Sequence, residues 1–132
     1  MKSQLLDTNI CIAFLHRGEP EIKQKFAACH PHDLVLCSVV KAELLFGARR
    51  SLRVHENLQV LAKFFANFDS LAFDDKAADF YGATRSFLEK SGTPIGVNDL
   101  LISSIALAHD LTVITRNVSE FIRVPGLRVE SW

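Results

Sequence analysis

Four acidic residues are notable in this sequence because each lies where a predicted strand or loop meets a predicted helix. They are Asp7, Glu43, Asp99 and Glu120. The ends of parallel strands converge at one edge of an α/β sheet, and ligands bind in the crevice at that edge. Carboxylates that reach this edge from separate elements are suited to bind a hard cation that prefers oxygen ligands. The residue types and positions therefore predict a metal site.

Repulsion among the acids is a second reason to expect a cation. Two unit charges about 5 Å apart repel each other by roughly 3 kcal/mol at an effective dielectric constant near 20. A group of such charges must either raise its pKa values or recruit a cation. Mg²⁺ favours octahedral oxygen coordination, and Mn²⁺ accepts the same ligands. Such an ion can bind a phosphodiester, activate a water molecule and stabilise the leaving oxygen.

Each acid also has a purely structural explanation. Asp7 directly follows an apolar strand and suits the cap of the next helix, whereas Asp99 suits the dipole of a first helical turn. Glu43 fits a solvated helix face, and Glu120 fits an ordinary turn. Asn117 follows the last predicted strand and is either a turn residue or a neutral polar group beside the ion. Only their shared context favours a common site.

The elements that must position these residues follow from apolar periodicity and from turn residues. Strands are predicted at residues 3–6, 34–37, 71–73 and 112–115. Helices are predicted at residues 10–15, 20–28, 38–45, 54–68, 75–90 and 97–108. Strands that alternate with helices imply parallel crossovers. The predicted fold class is α/β, a three-layer α/β/α sandwich with a central, mostly parallel sheet, as one domain over residues 1–132.

Several local predictions accompany this architecture. Thr8 or Asn9 is expected to cap the first helix, Ser38 the third, and Gly92 to end the helix at residues 75–90. The buried face of that helix is expected to hold Ala77, Phe80, Tyr81, Thr84, Phe87 and Leu88. The group Phe64, Phe65 and Phe68 is interpreted as core or as a partner contact, and Trp132 is expected to pack back on the sheet edge.

The composition limits the classes of function. The chain has 132 residues, a formal net charge of zero and 48% hydrophobic residues. Zero net charge argues against a protein that coats nucleic acid through phosphate contacts alone. Neither a secretory signal nor an apolar run of about 20 residues is visible, and three cysteines without framework spacing indicate reduced thiols in the cytoplasm. Cys29, His30, His32 and Cys37 are spaced too irregularly for a typical zinc site.

Four strings in the chain carry a family resemblance: LLDTNICIAFL, SVVKAELLFGA, PIGVNDLLISSIALAHDLTVITRN and EFIRVPGLRVESW. With them, in order and at suitable spacing, the chain resembles PIN-domain toxins of the VapC type. The resemblance is weakest at about residues 53–90. It implies a PIN-like fold and a Mg²⁺- or Mn²⁺-dependent endoribonuclease that cleaves structured RNA, with tRNA favoured. It also implies a homodimer and a VapB-like antitoxin that inserts a C-terminal segment into the site in the bacterial cytoplasm.

The resemblance assigns roles to individual residues. It implies Asp7, Glu43 and Asp99 as catalytic metal ligands, with Glu120 as a further acid of the site. Asn117 matches a position at which other members have Asp, so its amide would weaken metal binding relative to a carboxylate. To hold RNA, a neutral chain needs local cations, and the candidates are Arg49, Arg50 and Arg116. A basic side chain of the antitoxin would pair with the same acids in place of the metal.

Three other functions stay open at this point. A phosphatase-like enzyme with Asp7 as nucleophile would want a second acid two positions on, where Asn9 stands. A receiver-like module that binds metal without catalysis would want an adjacent acid pair and a lysine after a late strand, where Arg116 stands. A DNA nuclease with the same fold is the third alternative, and a deoxyribose substrate would distinguish it.

Overall fold

Five parallel strands form one central sheet in the computed structural model, which describes residues 3–132. The strands are β1 (Gln4–Leu6), β2 (Leu34–Cys37), β3 (Asp69–Leu71), β4 (Thr112–Ile114) and β5 (Arg128–Glu130). Their order across the sheet is β3-β2-β1-β4-β5. Every neighbouring pair is parallel, which confirms the predicted parallel sheet.

Seven α-helices connect the strands. They are α1 (Thr8–Ile12), α2 (Pro20–Ala28), α3 (Ser38–Arg49), α4 (Val54–Phe65), α5 (Asp75–Lys90), α6 (Val97–His109) and α7 (Val118–Phe121). A π-helical turn continues α1, and a 3-10 turn precedes β2. The chain passes from β1 through β2 to β3 on one side of the sheet and then returns to β4 and β5 on the other side. Crossovers between parallel strands are right-handed as a rule, so this reversal places helices on both faces. The predicted three-layer α/β/α sandwich is confirmed.

The centre of the sheet is apolar on both faces. Leu5, Leu6, Leu36, Val113 and Ile114 have no exposed surface. Central parallel strands that are covered by helices on both sides require such continuous apolar runs. The runs are short, so each strand ends within a few residues and delivers the next polar residue to the sheet edge.

Two predicted helix caps were wrong by one residue. α1 begins at Thr8, and its cap is Asp7, whose carboxylate accepts a hydrogen bond of 2.8 Å from the Thr8 backbone N–H. α3 begins at Ser38, and Cys37 holds the cap position without a side-chain bond. In both cases the helix starts directly at the strand end, since no loop residue intervenes.

Elements at the edges of the sheet differ most from prediction. β3 lies two residues before its predicted position, because its partner β2 pairs Val35 with Asp69 and Cys37 with Leu71. α4 ends at Phe65, three residues earlier than predicted. The short elements β5 and α7 were not predicted. Only Val129 of β5 is partly buried, so this edge strand lacks a clear apolar pattern.

Helix α5 has the predicted bounds and ends as predicted. Gly92 has φ +70°, and the Thr93 N–H donates to the Leu88 carbonyl over 2.9 Å, as in a Schellman cap. Its buried face is narrower than predicted. Phe87 is 51% exposed, whereas Thr84 is buried. Phe87 therefore does not belong to the buried face of α5, whereas Leu88, the next residue, does.

Six aromatic residues form one cluster of neighbouring rings: Phe14, Phe26, Phe64, Phe65, Phe68 and Trp132. The rings of Phe64 and Phe68 lie 5.0 Å apart, and Phe64 is buried, which confirms the core interpretation for it. The Trp132 ring lies 5.6 Å from the Phe26 ring of α2, edge to face. The C-terminus therefore packs back on the domain, as predicted.

Two further findings bear on metal binding by cysteine and histidine residues and on membrane insertion. Cys37 is fully buried, and among residues 3–132 no three His, Cys, Asp or Glu side chains are grouped so that they could hold a metal ion. No helix in the described range is both long enough and apolar enough to cross a bilayer.

Candidate functional site

The register of the two central strands places Asp7 beside Thr115. Leu6 of β1 pairs with Ile114 of β4, so the residues that follow both strands lie side by side. The Thr115 hydroxyl donates a hydrogen bond of 2.7 Å to Oδ2 of Asp7. After β1 the chain crosses to β2 on one side, whereas after β4 it crosses to β5 on the other side. The gap between β1 and β4 is therefore the position where α/β sheets bind ligands.

Glu43 of α3 reaches the same edge. Leu44 and Ala48 are buried, whereas Glu43 faces the end of β1. Its Oε1 accepts a hydrogen bond of 2.5 Å from the Thr8 hydroxyl, and its Oε2 accepts one of 3.1 Å from the Asn98 amide. Glu43 is therefore linked to the residue after Asp7 and does not lie on a solvated helix face.

Asp99 and Glu120 meet through Asn117. Nδ2 of Asn117 donates to Oδ2 of Asp99 over 2.9 Å and to Oε2 of Glu120 over 2.8 Å. Asn117 stands at the N-cap of α7 but makes no side-chain cap bond there. Of the two interpretations of Asn117, the structure supports the polar group beside the acids.

Burial and mutual repulsion shift the pKa values of two of these acids upward. Asp7 is 3% exposed, and this burial raises the pKa of its carboxyl group. The hydrogen bonds from Thr115 and Thr8 lower that pKa by less, and the charge of Glu43 raises it further. Burial, the hydrogen bond with Glu120 and the Asp7 charge raise the pKa of Asp99 to about 7. The like-charge contributions show that Asp7 is close enough to repel both Glu43 and Asp99.

The pKa of Glu120 moves in the opposite direction. Its hydrogen bond with Asp99 lowers the pKa, and the hydrogen bonds from Asn117 and the Gly96 backbone act in the same sense. A proton shared by the two acids therefore resides on Asp99, the more buried of the pair, and Glu120 accepts it. Metal binding at Asp99 would have to release this proton.

The donor set fits a hard divalent cation, although no ligand cage is preformed within residues 3–132. All four acids offer carboxylate oxygens, which are the ligands preferred by Mg²⁺ and Mn²⁺. The amides of Asn98 and Asn117 and the Thr8 hydroxyl donate hydrogen bonds to carboxylate oxygens of Glu43 and Asp99. The assignment of Asp7, Glu43 and Asp99 as metal ligands stays a prediction.

Comparison with known proteins identifies the family. The PIN-domain family profile matches residues 5–127. The chain is 37% identical over 129 residues to the tRNA(fMet)-specific endonuclease VapC of Salmonella typhimurium, covering 97% of this chain and 96% of the relative. This chain belongs to the PIN-domain family. It is also 34% identical to the ribonuclease VapC2 of Rickettsia felis, with 97% of this chain and 96% of that relative covered.

A solved structure of the family has the same fold. The DNA-bound VapBC complex of Salmonella typhimurium superposes with a TM-score of 0.94 at 35% identity, covering 100% of this chain and 99% of the compared chain. The predicted resemblance to VapC toxins is confirmed. Within this PIN domain, the four acids come from four different elements of the chain, as the sequence predicted.

The three predicted RNA-binding arginines differ in their surroundings. Both terminal nitrogens of Arg116 donate to Glu19, over 3.1 and 2.6 Å, and its Nε donates to the Trp132 carbonyl. Arg49 is the last residue of α3, Arg50 directly follows the helix, and both are exposed. The Arg50 guanidinium lies 5.1 Å from the centre of the Phe46 ring. Arg116 therefore stabilises the C-terminus, whereas Arg50 can reach a ligand without breaking an ion pair.

A groove of about 360 Å³ lies beside α3. Its lining includes Glu43, Arg50, His16, Ser51 and Asn57. A ligand in this groove would therefore contact Glu43, one of the four acids, as well as Arg50.

Sequence reasoning missed three polar residues of this PIN domain: Thr8, Asn98 and Thr115. Each is a neighbour of a recognised residue along the chain, in the strings DTN, VND and TRN. Short polar side chains at strand ends form local hydrogen bonds, and this tendency was the available signal. It does not tell which oxygen of a distant acid each one contacts.

Proposed function

We propose that this chain is a metal-dependent endoribonuclease of the VapC type, the toxin of a toxin–antitoxin pair. One observation carries the proposal: acids from four elements converge at the strand-order switch of the sheet, where burial and repulsion raise the pKa values of Asp7 and Asp99. The names of its relatives, a tRNA endonuclease and a ribonuclease, support the same activity.

Asp7, Glu43 and Asp99 are the residues that would hold Mg²⁺ or Mn²⁺. When bound, such an ion polarises the phosphodiester and lowers the pKa of a coordinated water. The chain itself positions the acids: Thr8 and Thr115 fix Asp7, Thr8 and Asn98 fix Glu43. On the other side of the site, Glu120 accepts a hydrogen bond from Asn117, and we expect it to orient water or to hold a second ion.

Structured RNA is the proposed substrate, with tRNA favoured. The Salmonella relative is named as specific for tRNA(fMet). Proteins recognise RNA mainly at loops, where the bases are splayed and the backbone is accessible. An enzyme that cleaves tRNA acts in the cytoplasm, which is the location that this proposal implies.

A VapB-like antitoxin and a second copy of the chain are the proposed partners. Related solved structures are VapBC complexes from Salmonella typhimurium and Rickettsia felis. A basic side chain of the antitoxin would form a charge-assisted pair with Asp7, Glu43 or Asp99 and replace the ion. Unchanged antitoxin affinity after that Arg or Lys is replaced would contradict this mode of inhibition. We expect the purified chain to form a homodimer, which sedimentation analysis would detect.

Removing divalent ions should abolish RNA cleavage. Purified protein, freed of antitoxin, should cut a tRNA mixture in Mg²⁺ or Mn²⁺ and leave it intact in excess EDTA, because three carboxylates without a cation repel a phosphate. Mapping the new RNA ends measures the activity and locates the cut. Undiminished cleavage in EDTA would refute metal dependence.

The same assay separates the alternatives. A binding-only module would take up Mn²⁺ and leave every RNA intact. A DNA nuclease would cleave equally well when deoxyribose replaces ribose at the cut position. A phosphatase-like enzyme would leave an acyl-phosphate that can be trapped on Asp7. Ribose-dependent cleavage without such an adduct supports the proposed ribonuclease.

Among the arginines, Arg50 should contribute most to RNA binding. Arg50→Ala should raise the KM for RNA about three- to tenfold and leave kcat nearly unchanged, because it removes an exposed cation near Glu43 and touches none of the acids. Its contribution should shrink as salt increases. The matched control is Arg128→Ala, since Arg128 pairs with Asp110 at the opposite edge of the sheet. Equal KM values for the two variants would contradict the role of Arg50.

A further inference from the structure

Thr115, the residue that follows β4, makes two side-chain hydrogen bonds in a fully buried position. Its exposed fraction is 0%. Its hydroxyl donates to Oδ2 of Asp7 over 2.7 Å and accepts from the Asn117 backbone N–H over 2.9 Å. The single hydroxyl of threonine can donate one bond and accept others, so both bonds are satisfied at once.

These bonds link the two halves of the acid cluster. On one side Thr115 contacts Asp7 directly. On the other side it holds the backbone of Asn117, whose amide nitrogen donates to Asp99 over 2.9 Å and to Glu120 over 2.8 Å. A continuous chain of hydrogen bonds therefore runs from the end of β1 to the first turns of α6 and α7.

The hydroxyl is not needed to hold the strand. The Thr115 backbone N–H donates to the Glu130 carbonyl over 3.0 Å, and the Asp7 N–H donates to the Ile114 carbonyl over 2.9 Å. These backbone bonds continue the pairing of β1, β4 and β5 without the side chain. A valine at this position would fill nearly the same volume and keep the backbone bonds. What valine lacks is the ability to orient Asp7 and Asn117.

We propose that Thr115 is a positioning residue of the active site, which sets the Asp7 carboxylate directly and the Asp99–Glu120 pair through Asn117. The inference rests on the proposed metal-dependent ribonuclease activity. Groups that hydrogen-bond to metal ligands fix the orientation of those ligands, and their loss commonly costs 10–100-fold in metal affinity or activity. Thr115 meets this description for one predicted ligand and, through Asn117, for another.

The test compares Thr115→Val and Thr115→Ser with the wild-type protein. Thr115→Val should bind Mn²⁺ about 10–100-fold more weakly in calorimetry on the metal-free protein, and should lower kcat with little change in the KM for RNA at saturating metal. Thr115→Ser retains the hydroxyl and should stay within about threefold of wild type in both measurements. The matched control is Thr84→Val, another buried threonine, in α5, which contributes none of the four acids.

The outcomes separate this inference from the proposed function. A wild-type chain that neither binds Mn²⁺ nor cleaves RNA overturns both. A wild-type chain that binds Mn²⁺ without cleaving RNA overturns the function, and the Mn²⁺ affinities of the variants then decide the inference alone. Wild-type activity together with a Thr115→Val variant that matches wild type in both affinity and kcat overturns the positioning role. Equal losses in Thr115→Val and Thr84→Val would also overturn it.

One further measurement does not depend on the variants folding. The Asn117 amide lies outside regular structure, yet it donates to the buried Thr115 hydroxyl. Hydrogen exchange of the metal-free wild-type protein should therefore show Asn117 protected relative to Arg116. Unprotected exchange at Asn117 would contradict the bond on which the inference rests. Should Thr115→Val fail to fold, Thr115→Ala carries the same comparison, because alanine also lacks the hydroxyl and introduces no larger group.

Discussion

Replacing Asp99 with asparagine is expected to lower the rate of RNA cleavage by about 10²–10³-fold while the protein stays folded. Asparagine has nearly the same shape as aspartate, and its amide can still accept from Asn117 and donate to Glu120. It carries no charge, so it can neither hold a divalent ion firmly nor complete the acid cluster with Asp7. Single-turnover cleavage of tRNA in saturating Mn²⁺ measures the effect.

Asp79→Asn is the matched control for this prediction. Asp79 is exposed on α5, so this substitution removes the same charge without touching the site. Its cleavage rate should equal that of the wild-type protein, and far-ultraviolet circular dichroism should be the same for all three proteins. A rate for Asp99→Asn within about twofold of wild type would show that Asp99 is not a metal ligand.

The central strands and the acids were predictable because their signals are local and repeated. An apolar run that ends in an acid, as at Leu5, Leu6 and Asp7, marks both a strand and its edge. Parallel pairing then brings such ends together without knowledge of the side chains. This is why Asp7 and Glu43 could be expected to meet, although they are 36 positions apart in the printed sequence.

The polar contacts within the site were not predictable in the same way. Thr115 binds Asp7 only because Leu6 pairs with Ile114, and a shift of one position in that register would have placed another residue beside the carboxylate. Asn98 reaches Glu43 across the α3–α6 contact, which no spacing in the chain reveals. Contacts of this kind depend on register and helix packing and not on propensity.

The edge elements were missed or misplaced for a related reason. Residues of β5 are mostly exposed, and β3 begins with the polar pair Asp69 and Ser70. Neither segment has the apolar alternation by which strands are recognised. Arg116 illustrates the same limit for charges, since its partner Glu19 is 97 positions away and its bidentate pairing could not be read from the local sequence.

The stability of the metal-free protein should fall as the pH rises from about 4 to about 7, and level off above that. The pKa of Asp99 is raised from its ordinary value of 3.8 to about 7, so the folded state holds this proton more tightly than the unfolded state. Stability therefore declines where the unfolded chain has already released the proton and the folded chain has not. Asp7, whose pKa is also raised, acts in the same direction. Allowing for the partial exposure of Asp99, the fall above pH 5 is on the order of 1–2 kcal/mol.

Glu120 has the opposite sign, but its effect lies in a different range of pH. Its pKa is lowered from 4.5, so its contribution is present above that value and is lost only in more acidic solution. Urea denaturation between pH 5 and 8 therefore reports mainly on Asp99 and Asp7.

Saturating Mn²⁺ should remove or reverse the decline in stability, because the ion binds the ionised acids of the folded state. Asp99→Asn should reduce the decline, whereas Asp79→Asn should keep it. If the wild-type protein lost no stability over this range without metal, neither burial nor repulsion would raise the pKa values of these acids, and the electrostatic reason for expecting a cation there would disappear.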